Sequence, residues 1–260
     1  MRDRALLVQP ASCMKNANAS PRCNCVRRDC VDGHVQINRD FYRWRLDPFP
    51  PTLRAPAKSC RTSSEMGTNR NPDWHVLVDF DGTIAPDDPT DRLLECFAAP
   101  AWREIEAAWQ SGKISSRECL SRQVSLMRAT PAALEQQICA VKVDPGFAGF
   151  LEFCRRRGGD VTIVSDGFDR VVQAALRNAR LSVPYFANAL EWRGDDQWHL
   201  GFPHAQEHCR NGSANCKCVH ADWSSLTSHI VVGDGRSDFC MAGRADFVIA
   251  KGQLLSLIHI

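Results

Sequence analysis

The sequence predicts an α/β fold built on a parallel sheet, and three observations predict it. From residue 75 onward, short apolar runs alternate with stretches of helical period. Three of the runs stop at a polar turn carrying acid and glycine: Asp79-Phe80-Asp81-Gly82-Thr83, Ser165-Asp166-Gly167 and Gly233-Asp234-Gly235. Helix-start signals stand between the strands rather than hairpin turns, as expected when crossover helices join parallel strands. Ligands on such sheets bind beyond the carboxyl ends of the strands, where all three acidic turns fall.

The first strand is expected at 75–81, reading His-Val-Leu-Val-Asp-Phe-Asp. Strand side chains at i and i+2 share a side, so Asp79 and Asp81 would hold two negative charges together. Close like charges are unfavourable unless a cation or a proton joins them. Four helical stretches follow near 90–98, 101–110, 116–128 and 131–141. Ser115 with Glu118 makes a capping box for the third, and Thr130 caps a first-turn Pro131 in the fourth. A helix at 146–157 ends at Gly158-Gly159, a strand at 160–164 runs into Ser165, and a helix spans 168–179. Trp192 and Trp198 flank Gly194-Asp195-Asp196, which reads as a hairpin turn packed by its aromatic neighbours. A strand at 229–232, a helix near 237–243 and a strand at 247–250 complete the readable part.

Composition bounds the rest. Hydrophobic residues make up 44% of the 260 and charged residues 24%, the balance of a globular chain with its own core. Residues 1–70 hold 13 Lys/Arg against 6 Asp/Glu, and residues 71–260 hold 19 against 24. No aromatic or motif pattern makes the basic end a nucleic-acid arm, and the acidic body suits a metal-dependent site. No apolar run approaches the roughly 18 residues that span a bilayer, and residues 5–8 are too short for a secretory core. The expectation is a cytoplasmic protein with no nucleic-acid or membrane partner, its thirteen cysteines reduced. Residues 1–65 show no sustained period and read as a disordered tail, or as an extension upstream of a start at Met66. The last six residues, 255–260, read as a translated sequencing adapter, which would put the natural C-terminus elsewhere.

Four motifs stand in order: Asp79 to Thr83, Ser165-Asp166-Gly167, Lys217, and Gly233-Asp234-Gly235-Arg236-Ser237-Asp238. In motif order and spacing over residues 75–252, the chain resembles the haloacid dehalogenase superfamily of phosphotransferases. That resemblance implies a Rossmann-like core from residues 72–84 and 145–254, with a helical cap inserted over 85–144. It implies Asp79 as a nucleophile that becomes an aspartyl-phosphate, which splits one hard hydrolysis into two easier steps. Asp81 would be the general acid and then the base. Mg²⁺ would sit on the Asp79 carboxylate, the Asp81 backbone carbonyl and Asp234, all hard oxygen donors. Ser165 and the Gly167 N–H would hold phosphate oxygens, and Lys217 would bind phosphate and neutralise charge in the transition state. Thr83 and Asp238 would support, Asp238 by steadying the metal and orienting Lys217. The acid at 81 favours a phosphatase over the superfamily's ion pumps, which carry Thr there.

The cap resembles the phosphoserine-phosphatase type, with departures. Asp88 replaces the Glu that binds the substrate amine in that enzyme, and Gln123, beside Arg122, replaces its carboxylate-binding Arg. Ser-Asp-Gly at 165–167 replaces Ser-Gly-Gly. Asp88, Arg122 and Gln123 are therefore the candidate specificity residues, and phosphoserine is not implied. The segments Phe202-Pro203-His204, Cys209 and Asn215-Cys216-Lys217-Cys218 resemble the methionine-salvage phosphatases that act on 2-hydroxy-3-keto-5-methylthiopentenyl-1-phosphate. The expected activity is Mg²⁺-dependent hydrolysis of a small phosphorylated metabolite. Rival readings are a phosphoserine phosphatase, a phosphotransferase or mutase, and a zinc module on a vestigial phosphatase core, using Cys209, Cys216 and Cys218 with His204, His208 and His220. Trp102 and Trp109 are expected in core or cap packing, with at most one of them lining a pocket.

Overall fold

The computed structural model describes residues 7–10, 74–223 and 226–258. In chain order the elements are β1 (Leu7–Pro10), β2 (Trp74–Val78), α1 (Pro89–Phe97), α2 (Trp102–Gln110), α3 (Ser116–Ser125) and α4 (Pro131–Ile138). There follow α5 (Phe147–Arg156), β3 (Gly159–Phe168), α6 (Asp169–Asn178), β4 (Tyr185–Gly194) and β5 (Gln197–Gly201). The chain closes with β6 (Ser228–Gly233), α7 (Phe239–Ala242), β7 (Phe247–Ala250) and α8 (Gly252–Ile258). Single 3-10 turns at Lys217–Val219 and Arg236–Asp238 complete the list.

The sheet runs in the order β1-β7-β6-β2-β3-β4-β5. Strands β7, β6, β2, β3 and β4 pair in parallel, while β1 and β5 add antiparallel edges. From central β2 the chain builds outward through β3 and β4, then crosses back to β6 and β7. The direction of winding reverses beside β2, which is where an open α/β sheet leaves its crevice. Strand β2 is buried on both faces, as central parallel strands are. Val76 and Val78 face one core cluster, and Leu77 faces the other. Ile163 and Val164 divide the same way, as do Ile230 and Val231, so the period of two threads both cores through the sheet. Leu93, Trp102, Met127 and Leu134 of the helical insertion continue the first core rather than forming their own.

The caps form where the sequence places them. Ser115 Oγ accepts from Glu118 N at 3.2 Å, and Thr130 Oγ1 accepts from Ala133 N at 3.2 Å. The hairpin turn also forms, with Asp195 and Asp196 both at positive φ, the geometry that matches strand twist. Only Trp198 packs there, buried, with Nε1 donating to Ala129 O at 2.9 Å, whereas Trp192 is 51% exposed.

Three expectations are corrected. The first strand ends at Val78 rather than 81, because Phe80 O accepts from Thr83, Ile84 and Ala85 N and winds the chain into a tight turn. Strand β3 continues to Phe168, because β4 pairs with it past a register shift between Val164 and Phe168. Leu7–Pro10 is an edge strand where no period was legible, since four residues show no alternation and its register rests on pairing with distant β7. The rest of 1–65, with the tail assignment and the start at Met66, lies outside the described residues. Residues 255–258, set aside with the final hexapeptide, lie in α8, where Leu254 is buried and Leu255 and Ile258 pack beside it. Among the described residues no helix is long and apolar enough to cross a membrane.

Candidate active site

The carboxyl ends of β2, β3 and β6 converge under the helical insertion, around a cavity of about 400 Å³. The sheet side contributes Asp79, Asp81, Asp166, Gly167 and Asp234, and the insertion contributes Asp88, Thr90, Glu106, Trp109 and Gln123.

Asp79 is the first residue beyond β2, and its N–H still pairs with Val232 O at 2.9 Å. The residue is 5% exposed. Lys217 Nζ donates to Asp79 Oδ1 at 2.6 Å, to Asp238 Oδ1 at 2.7 Å and to Ser237 Oγ at 3.2 Å. Burial alone would depress the Lys217 ammonium, but Asp238 and Asp79 outweigh it and hold it charged. Burial, with Asp238 next, drives the Asp79 carboxyl upward, against Lys217. Burial and Asp238 likewise push Asp234 up. One buried cation therefore faces more carboxylates than it can neutralise.

Asp81 does not extend the strand beside Asp79. Its Oδ1 accepts from Thr90 Oγ1 at 3.1 Å, and its Oδ2 accepts from Ser165 Oγ at 2.9 Å. Burial raises its pKa, while the hydrogen bonds from Ser165 and Thr90 oppose the shift. Ser165 Oγ in turn accepts from Gly167 N at 2.8 Å. The two expected phosphate donors thus occupy each other and Asp81. Gly167 leaves Asp81 its place: a Cβ there would lie 2.5 Å from Asp81 Oδ2 and displace it. Gly82 is required twice, by its φ of +69° and by a Cβ that would meet Asp234 Oδ2 at 2.4 Å.

The fit of a divalent cation can be tested on the donor set. Among the described residues, Asp79, Asp234 and Asp238 are the one set of three whose ligand atoms all lie within 4.8 Å of one another. All are carboxylate oxygens, which suit a hard ion. Asp238 is already committed: Oδ1 receives Lys217, and Oδ2 receives the N–H groups of Asp234 and Gly235 at 3.1 Å each. Asp79 and Asp234 remain as the side-chain ligands. The residues fit a small divalent ion, and its charge would relieve the excess of carboxylate. Thr83 Oγ1 donates to Asp234 Oδ1 at 3.1 Å and steadies it.

The cysteine–histidine segment makes no comparable group. His204 and His220 meet edge to face at 5.0 Å, and His220 stacks on Phe186 at 4.0 Å. His220 Nε2 bonds Asn215 Oδ1 at 2.6 Å. His220 Nε2 is spent on Asn215, and among the described residues no three of these side chains come together as ligands, so the zinc reading is set aside.

The specificity candidates separate. Gln123 is 1% exposed and lines the cavity, with Nε2 donating to Glu106 Oε2 at 3.0 Å. Arg122 points the other way, pairing with Glu118 at 3.3 Å on the exposed face of α3, which corrects its assignment to the pocket. A step of one residue turns a helix by about 100°, so the two cannot share a face. Asp88 lines the cavity while capping α1 through Asp91 N at 3.0 Å. Trp102 is core, and Trp109 is the tryptophan that lines the cavity.

Several participants went unseen in the sequence. Thr90 holds Asp81, Ser237 shares Lys217, and Glu106 faces Gln123. Asn215, fully buried, donates from Nδ2 to Ser165 O at 2.9 Å and Phe186 O at 3.0 Å, while its N–H reaches Asp166 Oδ1 at 2.9 Å. It ties the lysine-bearing loop to β3 and β4. Its place two residues before Lys217 was the available signal.

Comparison with known proteins follows this geometry. The profile of the haloacid dehalogenase-like hydrolases matches residues 76–243. A protein of Exiguobacterium sp., named 2-hydroxy-3-keto-5-methylthiopentenyl-1-phosphate phosphatase, is 32% identical over 70% of this chain and 87% of its own. A Brevibacillus brevis protein of the same name is 33% identical over 69% of this chain and 83% of its own. Among solved structures, a phosphoserine phosphatase with an analogue of its phospho-aspartyl intermediate aligns with a TM-score of 0.53 and 21% identity. That alignment covers 72% of this chain and 91% of the other, and is a likeness of fold.

Proposed function

Because the chain belongs to the haloacid dehalogenase-like hydrolase family, we propose that it is a Mg²⁺-dependent phosphatase of a small phosphomonoester, working through an aspartyl-phosphate on Asp79. The observation that carries this reading is the pairing of two unlike acids at one cavity. Asp79 has Oδ1 bound by Lys217, which leaves Oδ2 to attack, and Asp81 is held by neutral hydroxyls in surroundings that favour its protonated form.

Asp79 Oδ2 attacks phosphorus in line with the ester oxygen, and Asp81 gives its proton to that oxygen as the bond breaks. Asp81, now a carboxylate, takes a proton from water, whose oxygen attacks the phosphorus of the acyl phosphate and frees Asp79 and inorganic phosphate. Lys217 stays charged throughout and offsets the charge gathering on Asp79 and the phosphoryl oxygens. Ser165 Oγ and the Gly167 N–H turn from each other toward the phosphate. Asp79, Asp234 and the Asp81 carbonyl would hold Mg²⁺, which would add to the neutralisation of the phosphate charge. Asp238 acts as a positioning residue for Lys217 and the Asp234 backbone.

The substrate is a small metabolite without a carboxylate at the cap end. Gln123 stands there in place of a cation, Arg122 faces away, the lining Arg236 has its Nη1 on Gln110 O, and Trp109 and Leu120 offer apolar surface. That wall suits the methylthio-pentenyl phosphate named for the relatives better than phosphoserine. The insertion over 85–144 serves as the cap that excludes water. The free thiols of the described cysteines fit a cytoplasmic setting.

The test is phosphate release with Mg²⁺ across a panel holding that ester, phosphoserine and simple sugar phosphates. Turnover of the methylthio ester well above phosphoserine, lost in Asp79→Asn, is the expected result. No Mg²⁺-dependent release from any ester, or an active Asp79→Asn, would overturn the assignment.

A further inference from the structure

We propose that Cys218 and Cys240 form a thiol-oxidation site beside Lys217, closing to a disulfide that lowers turnover. The two Sγ atoms stand 3.2 Å apart. A disulfide bond is about 2.05 Å long, so closure asks the sulfurs to approach by roughly 1.2 Å. The pairing joins elements remote in sequence, since Cys218 lies in the turn Lys217–Val219 and Cys240 lies in α7, which pack together. The two thiols differ in access. Cys240 is exposed to solvent, and Cys218 is buried behind it at 7% exposure. This is the arrangement of a reacting thiol with its resolving partner.

The step balances with a hydroperoxide as oxidant. The Cys240 sulfur, as thiolate, attacks one peroxide oxygen; an S–O bond forms, the O–O bond breaks, and the second oxygen leaves as hydroxide. The Cys218 sulfur then attacks the Cys240 sulfenic acid, forming the S–S bond and releasing the hydroxyl with the thiol proton as water. Two electrons pass from the thiols to the peroxide, and a dithiol reductant returns them.

The consequence follows from what flanks each sulfur. Cys218 follows Lys217 directly, and Cys240 lies two residues after Asp238. Drawing the sulfurs together pulls on the turn that aims Lys217 Nζ at Asp79 and on the segment that seats Asp238. Misplacement of a catalytic group by about 1 Å costs up to 10²-fold in rate. The site does not depend on which ester is hydrolysed.

The experiment treats the full chain with hydrogen peroxide after removing reductant, caps remaining thiols with N-ethylmaleimide, and maps peptides without reduction. In parallel, hydrolysis of p-nitrophenyl phosphate with Mg²⁺ is followed in the wild type and Cys240→Ser. The expected result is a Cys218–Cys240 linked peptide, with a fall in rate of about tenfold or more that a dithiol reverses. Cys240→Ser should keep its starting rate and resist peroxide. Recovery of both cysteines capped, linkage through Cys209 or Cys216 instead, or an equal loss in Cys240→Ser would overturn the proposal. So would a linked enzyme that keeps its full rate. Peptide mapping reads the linkage whether or not the ester is turned over, so failure here is distinct from failure of the phosphatase reading.

Discussion

Gly167→Ala probes the proton shuttle without touching it. The glycine's φ lies outside the left-handed region, so space rather than backbone strain decides the outcome. The added Cβ would lie 2.5 Å from Asp81 Oδ2 and 2.8 Å from Thr90 Oγ1, while ordinary contact begins at 3.4 Å. Asp81 Oδ2 must retreat by about 0.9 Å, and it leaves its bond to Ser165 Oγ in doing so. A displacement near 1 Å at a proton-transferring group costs on the order of 10²-fold in kcat, about 2.7 kcal/mol of barrier. Stability should change little, because the displaced groups are the ends of side chains at a cavity that can accept them. The assay is the initial rate of phosphate release, with thermal unfolding of the same samples as the control for folding. A kcat within about threefold of wild type would refute the idea that this contact fixes Asp81.

Other outcomes follow from the same geometry. Gly149→Ala, at an exposed helical site where the new Cβ meets nothing within 4 Å, should stabilise by about 0.5–1 kcal/mol and leave the rate unchanged, as read by denaturant midpoint. Lys217→Met leaves Asp79 and Asp238 buried without their cation, at a cost of about 3–5 kcal/mol. Its Tm should fall by on the order of 10 °C, with partial recovery in Mg²⁺, and an unchanged Tm in metal-free buffer would contradict the buried pairing. Burial holds the His220 imidazole down to about 4, so the unfolded chain takes up this proton first as pH falls from 6.5. Stability from this group is thus lost between pH 6.5 and about 4 and then levels, while Asp91, pushed by burial to about 6, works in the opposite direction. The wild-type minus His220→Asn difference in unfolding free energy isolates the histidine, and a difference flat across that window would dismiss it. Gln123→Leu takes the amide donor from Glu106 Oε2, leaving the carboxylate with Gln110 and Cys119, and should lower kcat/KM about tenfold. Arg122→Ala should leave it nearly unmoved, and steady-state kinetics on the preferred ester separates the two.

The acidic strand ends were legible because each is a local pattern: an apolar run, then polar residues that a buried strand cannot continue. Asp79, Asp81 and Asp234 were named on those grounds and Lys217 from the family resemblance; the fold brings the three acids to one cavity and Lys217 onto Asp79. Helices α1 to α4 were legible from period and caps, and their starts agree with the expected ones closely. The misses share a cause. Arg122 and Gln123 differ by one step on α3, and only the seating of that helix on the core chose which faces inward. Strand β1 and helix α8 have sequences too short to show a period and exist through partners on other elements.

The sequence by itself determined the alternation of strands and helices, the polar turns that end the strands and the acids they carry, because those depend on residues close along the chain. The tertiary structure alone decided that Asp79 and Asp81 part company after Val78, one to a lysine 138 residues away and the other to Ser165 and Thr90. It also decided that Asp238 is spent on Lys217 and two backbone N–H groups, and that Cys218 meets Cys240. Each of these is a contact of a few ångströms between distant segments, set by strand order and packing, and no local pattern encodes that distance.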